Sequence, residues 1–152
     1  MKVGDLAPDF ELSDQSGTSR KLSALLESGP VVLFFYPAAM TPGCTAESCH
    51  FRDLTAEFAA AGGQLIGISQ DTVDKQQKFD SKYSLGYPLL SDVGGKVAAS
   101  FGVRRAFMPM LPTKRVTFVI GTDRRILEVV RSEIRMDVHA DKALAVLRSA
   151  SR

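Results

Sequence analysis

Cysteine is scarce in this 152-residue chain, with two in all. That excludes a small scaffold stapled by several disulfides, and a chain of this size needs no staple. A strong charge of one sign is missing too. Nineteen Lys and Arg against seventeen Asp and Glu leave a formal net charge of +2, too mild a surplus to argue for a nucleic-acid partner. Of the basic residues that gather after Arg104 (Arg104, Arg105, Lys114, Arg115, Arg124, Arg125, Arg131 and Arg135), most read as a solvated face rather than a polyanion site. Long apolar runs are also absent. The longest, Val31 to Tyr36, is too short to span a bilayer, and Met1-Lys2-Val3-Gly4-Asp5 lacks the basic-then-apolar pattern of a secretory signal. The expectation is a soluble, cytoplasmic protein with no membrane partner. With 45% hydrophobic and 24% charged residues, and no repeat, linker or low-complexity tract, residues 1–152 read as a single globular domain.

The apolar pattern alternates between the two periods of regular structure. Ala7 to Leu12 alternates apolar and polar, and the turn residues Ser13 to Gly17 follow, so the chain opens with a short strand or hairpin. A helical turn is expected around Leu22 to Leu26. Val31 to Tyr36 is a continuous β-branched and aromatic run, the pattern of a strand buried on both faces, and Pro37 stops it. Thr41 and Pro42 then supply an N-cap and a first helical residue, with helical periodicity through Phe51, Leu54 and Phe58 to Ala61. Gln64 to Ser69 predicts a second buried strand, and Asp71-Thr72 caps a helix toward Tyr83. A loop or short strand at Gly86 to Asp92, a short helix from Val93 to Phe101, a hairpin of Arg115 to Ile120 with Arg125 to Val130, and a helix from Met136 to Leu147 complete the pattern. This order argues for an α/β layered sheet with helices on both faces.

Cys44 falls at about the third residue of a helix that follows a buried strand. There the first-turn amides lack intrahelical partners and the helix dipole is positive, so a thiolate is favoured over a thiol. Such a setting lowers a cysteine pKa from about 8.5 into the range of roughly 3.5 to 7.5, and the same amides can bind the oxygens of a peroxide. Gly43 lets backbone approach a ligand, and Pro42 fixes the entry angle of the chain. Thr41 has two readings that do not exclude each other: an N-cap, or a hydroxyl that donates to sulfur and aligns a peroxide for in-line attack.

Pro37, Thr41 and Cys44 match the active-site motif Pro-x-x-x-Thr-x-x-Cys, and the chain resembles the peroxiredoxins. The longer string from Phe35 to Thr45, with Cys49 five residues after Cys44, resembles the peroxiredoxin Q subfamily, also called bacterioferritin comigratory protein. The likeness runs from Gly4 through Phe51-Arg52-Asp53 and Leu89 to Asp92 to Arg115 to Ile120. It implies a thioredoxin-like fold with a central mixed sheet, peroxide reduction without metal, haem or other cofactor, and electrons from thioredoxin. The family often has a lysine where this chain has Ala38 or Ala39, which alters local pocket charge. The resemblance also assigns to Arg115 the task of holding the thiolate and polarising the peroxide. The residues themselves leave a rim arginine open, with Lys114 or Arg105 near the thiolate instead.

On an intact helix, five residues separate two side chains by about 7.5 Å along the axis and about 140° around it. A disulfide needs Cα atoms within about 7 Å, so joining Cys44 to Cys49 requires local unwinding. The expected cycle is attack by Cys44, a sulfenic acid, and capture by Cys49. Because that bond is intramolecular, a monomer suffices. The other reading of Cys49 is a buried helical cysteine without a redox role. Glu47 and Arg52 either order the helix or tune the pocket, with ordinary helix-surface pairing the expected role of both, and His50 and the sequence-remote His139 lack a zinc spacing with the cysteines. Phe35, Met40, Phe107 and Met108 either line an apolar approach for organic hydroperoxides or complete the core. Two other functions fit the same fold: a thiol-disulfide oxidoreductase, against which the four residues between the cysteines argue, and a redox-sensing module.

Overall fold

Val31–Phe35 forms a strand in which every residue is buried. Its side chains alternate between two cores: Val31, Leu33 and Phe35 join one, Val32 and Phe34 the other, which is the period of two that an extended chain imposes. A strand apolar on both faces needs cover on both.

The computed structural model describes residues 1–105 and 112–150. In chain order it contains β1 (Glu11–Ser13), β2 (Ser19–Lys21), α1 (Leu22–Leu25) with a 3-10 turn at Leu26–Ser28, β3 (Val31–Phe35), α2 (Pro42–Asp53), α3 (Thr55–Ala60), β4 (Gln64–Ser69), α4 (Val73–Tyr83), β5 (Leu89–Ser91), α5 (Lys96–Ser100), β6 (Val116–Ile120), β7 (Ile126–Arg131) and α6 (Met136–Ala150). The β1–β2 hairpin stands apart from a five-stranded sheet ordered β5-β4-β3-β6-β7. β3 pairs parallel with β4, and β4 with β5, while β6 pairs antiparallel with β3 and β7 antiparallel with β6. The sheet is mixed and β3 is its centre.

One face is covered by α1, α5 and the segment leading into the hairpin, through Leu22, Val97, Ala98 and Phe10. The other is covered by α2, α3, α4 and α6, through Phe51, Phe58, Phe79 and Leu144. Phe34 of β3 stacks on Phe51 of α2 with ring centroids 4.2 Å apart, which seats the helix on the sheet. Gly67 of β4 lies beside Phe34 in register. A Cβ there would meet Leu89 at 2.9 Å, Phe34 at 3.0 Å and Tyr36 at 3.2 Å, so the absence of a side chain admits those three.

The helix expected to run unbroken to Ala61 divides at Leu54, whose φ of −103° and ψ of 12° leave the helical range. The Leu54 amide bonds three residues back to Phe51, and the Thr55 hydroxyl donates to the Arg52 carbonyl at 2.7 Å. That side chain competes with the backbone for the carbonyl, and the helix ends. The short helix expected from Val93 starts later, at Lys96, because Gly94 and Gly95 are left-handed. The buried Asp92 carboxylate accepts from the Val97 and Ala98 amides and caps it from outside. Among the described residues no helix is long and apolar enough to cross a membrane.

Candidate active site

At the end of β3 the Tyr36 amide still bonds to Ile68 of β4, and buried Pro37, having no N–H, ends the pairing. The Ala39 amide donates to Asp71 Oδ2 at 2.7 Å, and Met40 adopts a φ of +70°. A non-glycine residue in that region stores strain that the surrounding contacts must hold. The turn delivers Thr41 in an extended conformation at the N-cap of α2 with Pro42 at the first helical position. The helix begins with the Thr45 amide donating to the Thr41 carbonyl, so the amides of Gly43 and Cys44 precede the helical ladder. The Thr41 hydroxyl does not cap the helix; it turns back and donates to the Ala38 carbonyl at 2.7 Å. The expected N-cap bond is thus replaced by one that closes the active-site loop.

Cys44 is fully buried against the α2 side of the sheet. Arg115, in the residue before β6, is 6% exposed. Its Nη2 donates to Cys44 Sγ at 3.2 Å and its Nη1 to Glu47 Oε1 at 3.0 Å. Arg115 thus points inward, away from the solvated face that most of its basic neighbours form, and is not a rim arginine. Arg104, Lys114, Arg125, Arg131 and Arg135 remain exposed, and Arg105 pairs with Glu133 at 2.7 Å, so the cation at the sulfur is Arg115. Burial opposes its charge, but Glu47 and Cys44 more than offset that and raise its pKa.

Glu47 corrects the sequence reading. Far from pairing on the helix surface, it is fully buried; burial pushes its carboxyl up to about 8 against the pull of Arg115. The fold also brings in His139. From the first turn and a half of α6, its Nδ1 lies 3.6 Å from Glu47 Oε2 and 2.8 Å from Thr117 Oγ1, while Nε2 meets the Ser132 carbonyl at 2.8 Å. Burial pushes its pKa down. One signal in the sequence pointed to Glu47: it stands three residues after Cys44, on the same helix face. For His139, a lone polar residue on an apolar helix stripe was the trace.

Arg52 does reach the helix surface, pairing with Asp53, but it also donates to the Tyr83 carbonyl at 2.6 Å. Cys49 lies half-buried on α2, and both cysteines are free thiols. His50 pairs with Asp141 of α6 at 2.8 Å. Phe35 belongs to the core on the opposite face of the sheet from Cys44, because alternation along β3 turns it away, so it lines no approach to the thiol. Met40 is 38% exposed; Phe107 and Met108 lie outside the described residues.

A cysteine buried at a helix start, with a guanidinium on its sulfur, is a nucleophile held beside a fixed cation. The sequence profile described as the AhpC/TSA family matches residues 3–129. The chain belongs to that family and is a peroxiredoxin. The crystal structure of a peroxidoxin from Mycobacterium tuberculosis is similar at a TM-score of 0.94 and 61% identity, covering 98% of this chain and 97% of that one. The bacterioferritin comigratory protein of Xanthomonas campestris is similar at a TM-score of 0.88 and 30% identity over the full length of both. Chloroplastic peroxiredoxin Q of Arabidopsis thaliana is 40% identical over 147 residues, 97% of this chain and 67% of that protein. The peroxiredoxin is thus of the peroxiredoxin Q type, with a thioredoxin-like fold, and is a thiol peroxidase.

Proposed function

We propose that Cys44 is the sulfur that attacks the peroxide and Cys49 the one that resolves the product. The observation that carries this reading is the 3.2 Å contact between Arg115 Nη2 and Cys44 Sγ at the start of α2. A cation fixed there stabilises negative charge on sulfur before attack and on the departing oxygen during it. The thiolate takes the near oxygen of ROOH, the O–O bond breaks, and ROH leaves after protonation, with Cys44 oxidised to a sulfenic acid. Thr41, held by Ala38 and bounded by Pro37, presents its hydroxyl oxygen as an acceptor for the peroxide O–H.

The first turns of α2 then unwind. The Cys49 thiol attacks the sulfenic sulfur, water leaves, and a Cys44–Cys49 disulfide forms, which a dithiol such as thioredoxin reduces. The Xanthomonas campestris protein is described by its alkyl peroxide reduction activity, and we extend that substrate class, beside hydrogen peroxide, to this chain. An intramolecular disulfide needs no second subunit, which supports a monomeric, single-domain enzyme; a cytoplasmic site, without membrane or nucleic acid, accords with thioredoxin as reductant.

Intact-mass measurement after one equivalent of hydrogen peroxide tests the cycle. The expected product has lost two hydrogens, and Cys49→Ser gains one oxygen instead. Undiminished thioredoxin-dependent turnover in Cys49→Ser would remove Cys49 from the mechanism.

A further inference from the structure

Behind the thiol lies a buried chain of polar groups that peroxide attack as described leaves unused. Glu47 Oε1 accepts from Arg115, but Oε2 is buried without a hydrogen-bond partner among the described residues. A charged carboxylate oxygen in that position costs far more than a neutral carboxyl group does. Beside it stands the ring of His139, which is fully buried. Its Nε2 faces the Ser132 carbonyl at 2.8 Å, and a carbonyl only accepts, so Nε2 carries a proton. In the neutral ring Nδ1 is then a lone pair, which accepts from the Thr117 hydroxyl at 2.8 Å, so the ring offers no N–H to Glu47 Oε2 at 3.6 Å.

We propose that His139 is a positioning residue for peroxide reduction: locked as a neutral ring with no N–H toward Glu47 Oε2, it leaves that oxygen without a donor and the carboxyl protonated, so that the charge of Arg115 acts on the Cys44 sulfur instead of being cancelled by Glu47. The groups around Glu47 pull in both directions. Glu133, between β7 and α6, opposes an anion there; Arg115 favours one; Cys44 shares the helix, and the Tyr87 hydroxyl comes from the segment before β5. Burial of both partners acts in the same sense, raising the Glu47 pKa and lowering that of His139. His139 touches no reacting atom. It sets the protonation of a neighbour, and through that neighbour the field at the thiol.

The inference rests on Cys44 as the attacking sulfur, and its test separates the two. In the full-length reduced enzyme, 15N NMR of the histidines, assigned with His50→Gln, is expected to show His139 protonated at Nε2 and bare at Nδ1 at pH 7. The 13C carboxyl signal of Glu47 is expected to report an acid at the same pH. The bimolecular rate of thiol oxidation by hydrogen peroxide should fall on the alkaline side with the Glu47 titration. In His139→Gln, whose amide can offer an N–H to Oε2, that alkaline limb should move down by about one pH unit, a roughly tenfold change in proton affinity. A doubly protonated His139, an ionised Glu47 at pH 7, or an alkaline limb unmoved by His139→Gln overturns the proposal. Should His139→Gln not fold, the NMR of the unaltered enzyme decides alone. Peroxide consumption persisting in Cys44→Ser is a different failure, that of the thiol assignment itself.

Discussion

At the scale of single residues, Gly43 makes room for the charge that the site needs. A Cβ on Gly43 would stand 3.2 Å from Arg115 Nη2 and 3.6 Å from the Met136 sulfur. Gly43→Ala should therefore push the guanidinium off the thiol and slow peroxide oxidation by about tenfold, as misplacing a charge-stabilising group does. Stopped-flow kinetics checks this, and an unchanged rate would show that the guanidinium position is not critical. Arg115→Lys replaces a fork that serves Glu47 and Cys44 together with a single ammonium, and a loss of about tenfold to hundredfold in the same rate is expected. The placement of Pro37, Thr41 and Cys44 around the start of α2 was legible in the sequence because it depends on a local turn. Glu47 was placed wrongly, on the helix surface, because helical spacing shows which residues share a face and not what covers that face.

At the scale of elements, the proposed cycle opens α2 so that Cys49 reaches Cys44, and specific contacts oppose that opening. The Tyr87 hydroxyl donates to the Ser48 carbonyl at 2.7 Å, and the Arg52 guanidinium to the Tyr83 carbonyl at 2.6 Å. Tyr87→Phe should weaken closed α2 by about 1 kcal/mol, one buried hydrogen bond. Hydrogen exchange of the Cys44–Arg52 amides should quicken and the disulfide form sooner after peroxide; exchange equal to the parent enzyme would show that this contact is no latch. Glu47 adds a pH dependence. Its pKa in the folded helix, about 8, lies above its ordinary 4.5, so closed α2 holds a proton that opened α2 releases. The folded helix thus loses stability as pH rises through that window. Amide protection in α2, corrected for intrinsic exchange, should be lower at pH 8 than at pH 6 and should become flat with pH in Glu47→Gln; a pH dependence that survives the substitution would rule Glu47 out as its source. The break at Leu54 was not legible, since the periodicity of Phe51, Leu54 and Phe58 suits one helix and the hydroxyl of Thr55 decides otherwise.

At the scale of the whole molecule, two cores share one sheet, and the site sits where the α2 side of that sheet meets the start of β6. Gly67→Ala probes the packing between β3, β4 and β5 without touching the site. The added methyl would press on Leu89, Phe34 and Tyr36, and a destabilisation of about 1 to 3 kcal/mol is expected from overpacking. Thermal unfolding measures it; an unchanged midpoint would mean that those side chains give way freely. The strands, their alternation between two faces and the helix that starts at Pro42 were determined by the sequence itself, because each depends on neighbours within a few residues. Which cation meets the thiol, which carboxyl is buried beside it and which histidine stands behind were decided only by the tertiary structure. Arg115 and Cys44 are 71 residues apart and Arg115 and Glu47 are 68 apart, and no local preference fixes a contact across such a span; it forms because the sheet places β6 beside β3 and α6 packs over α2.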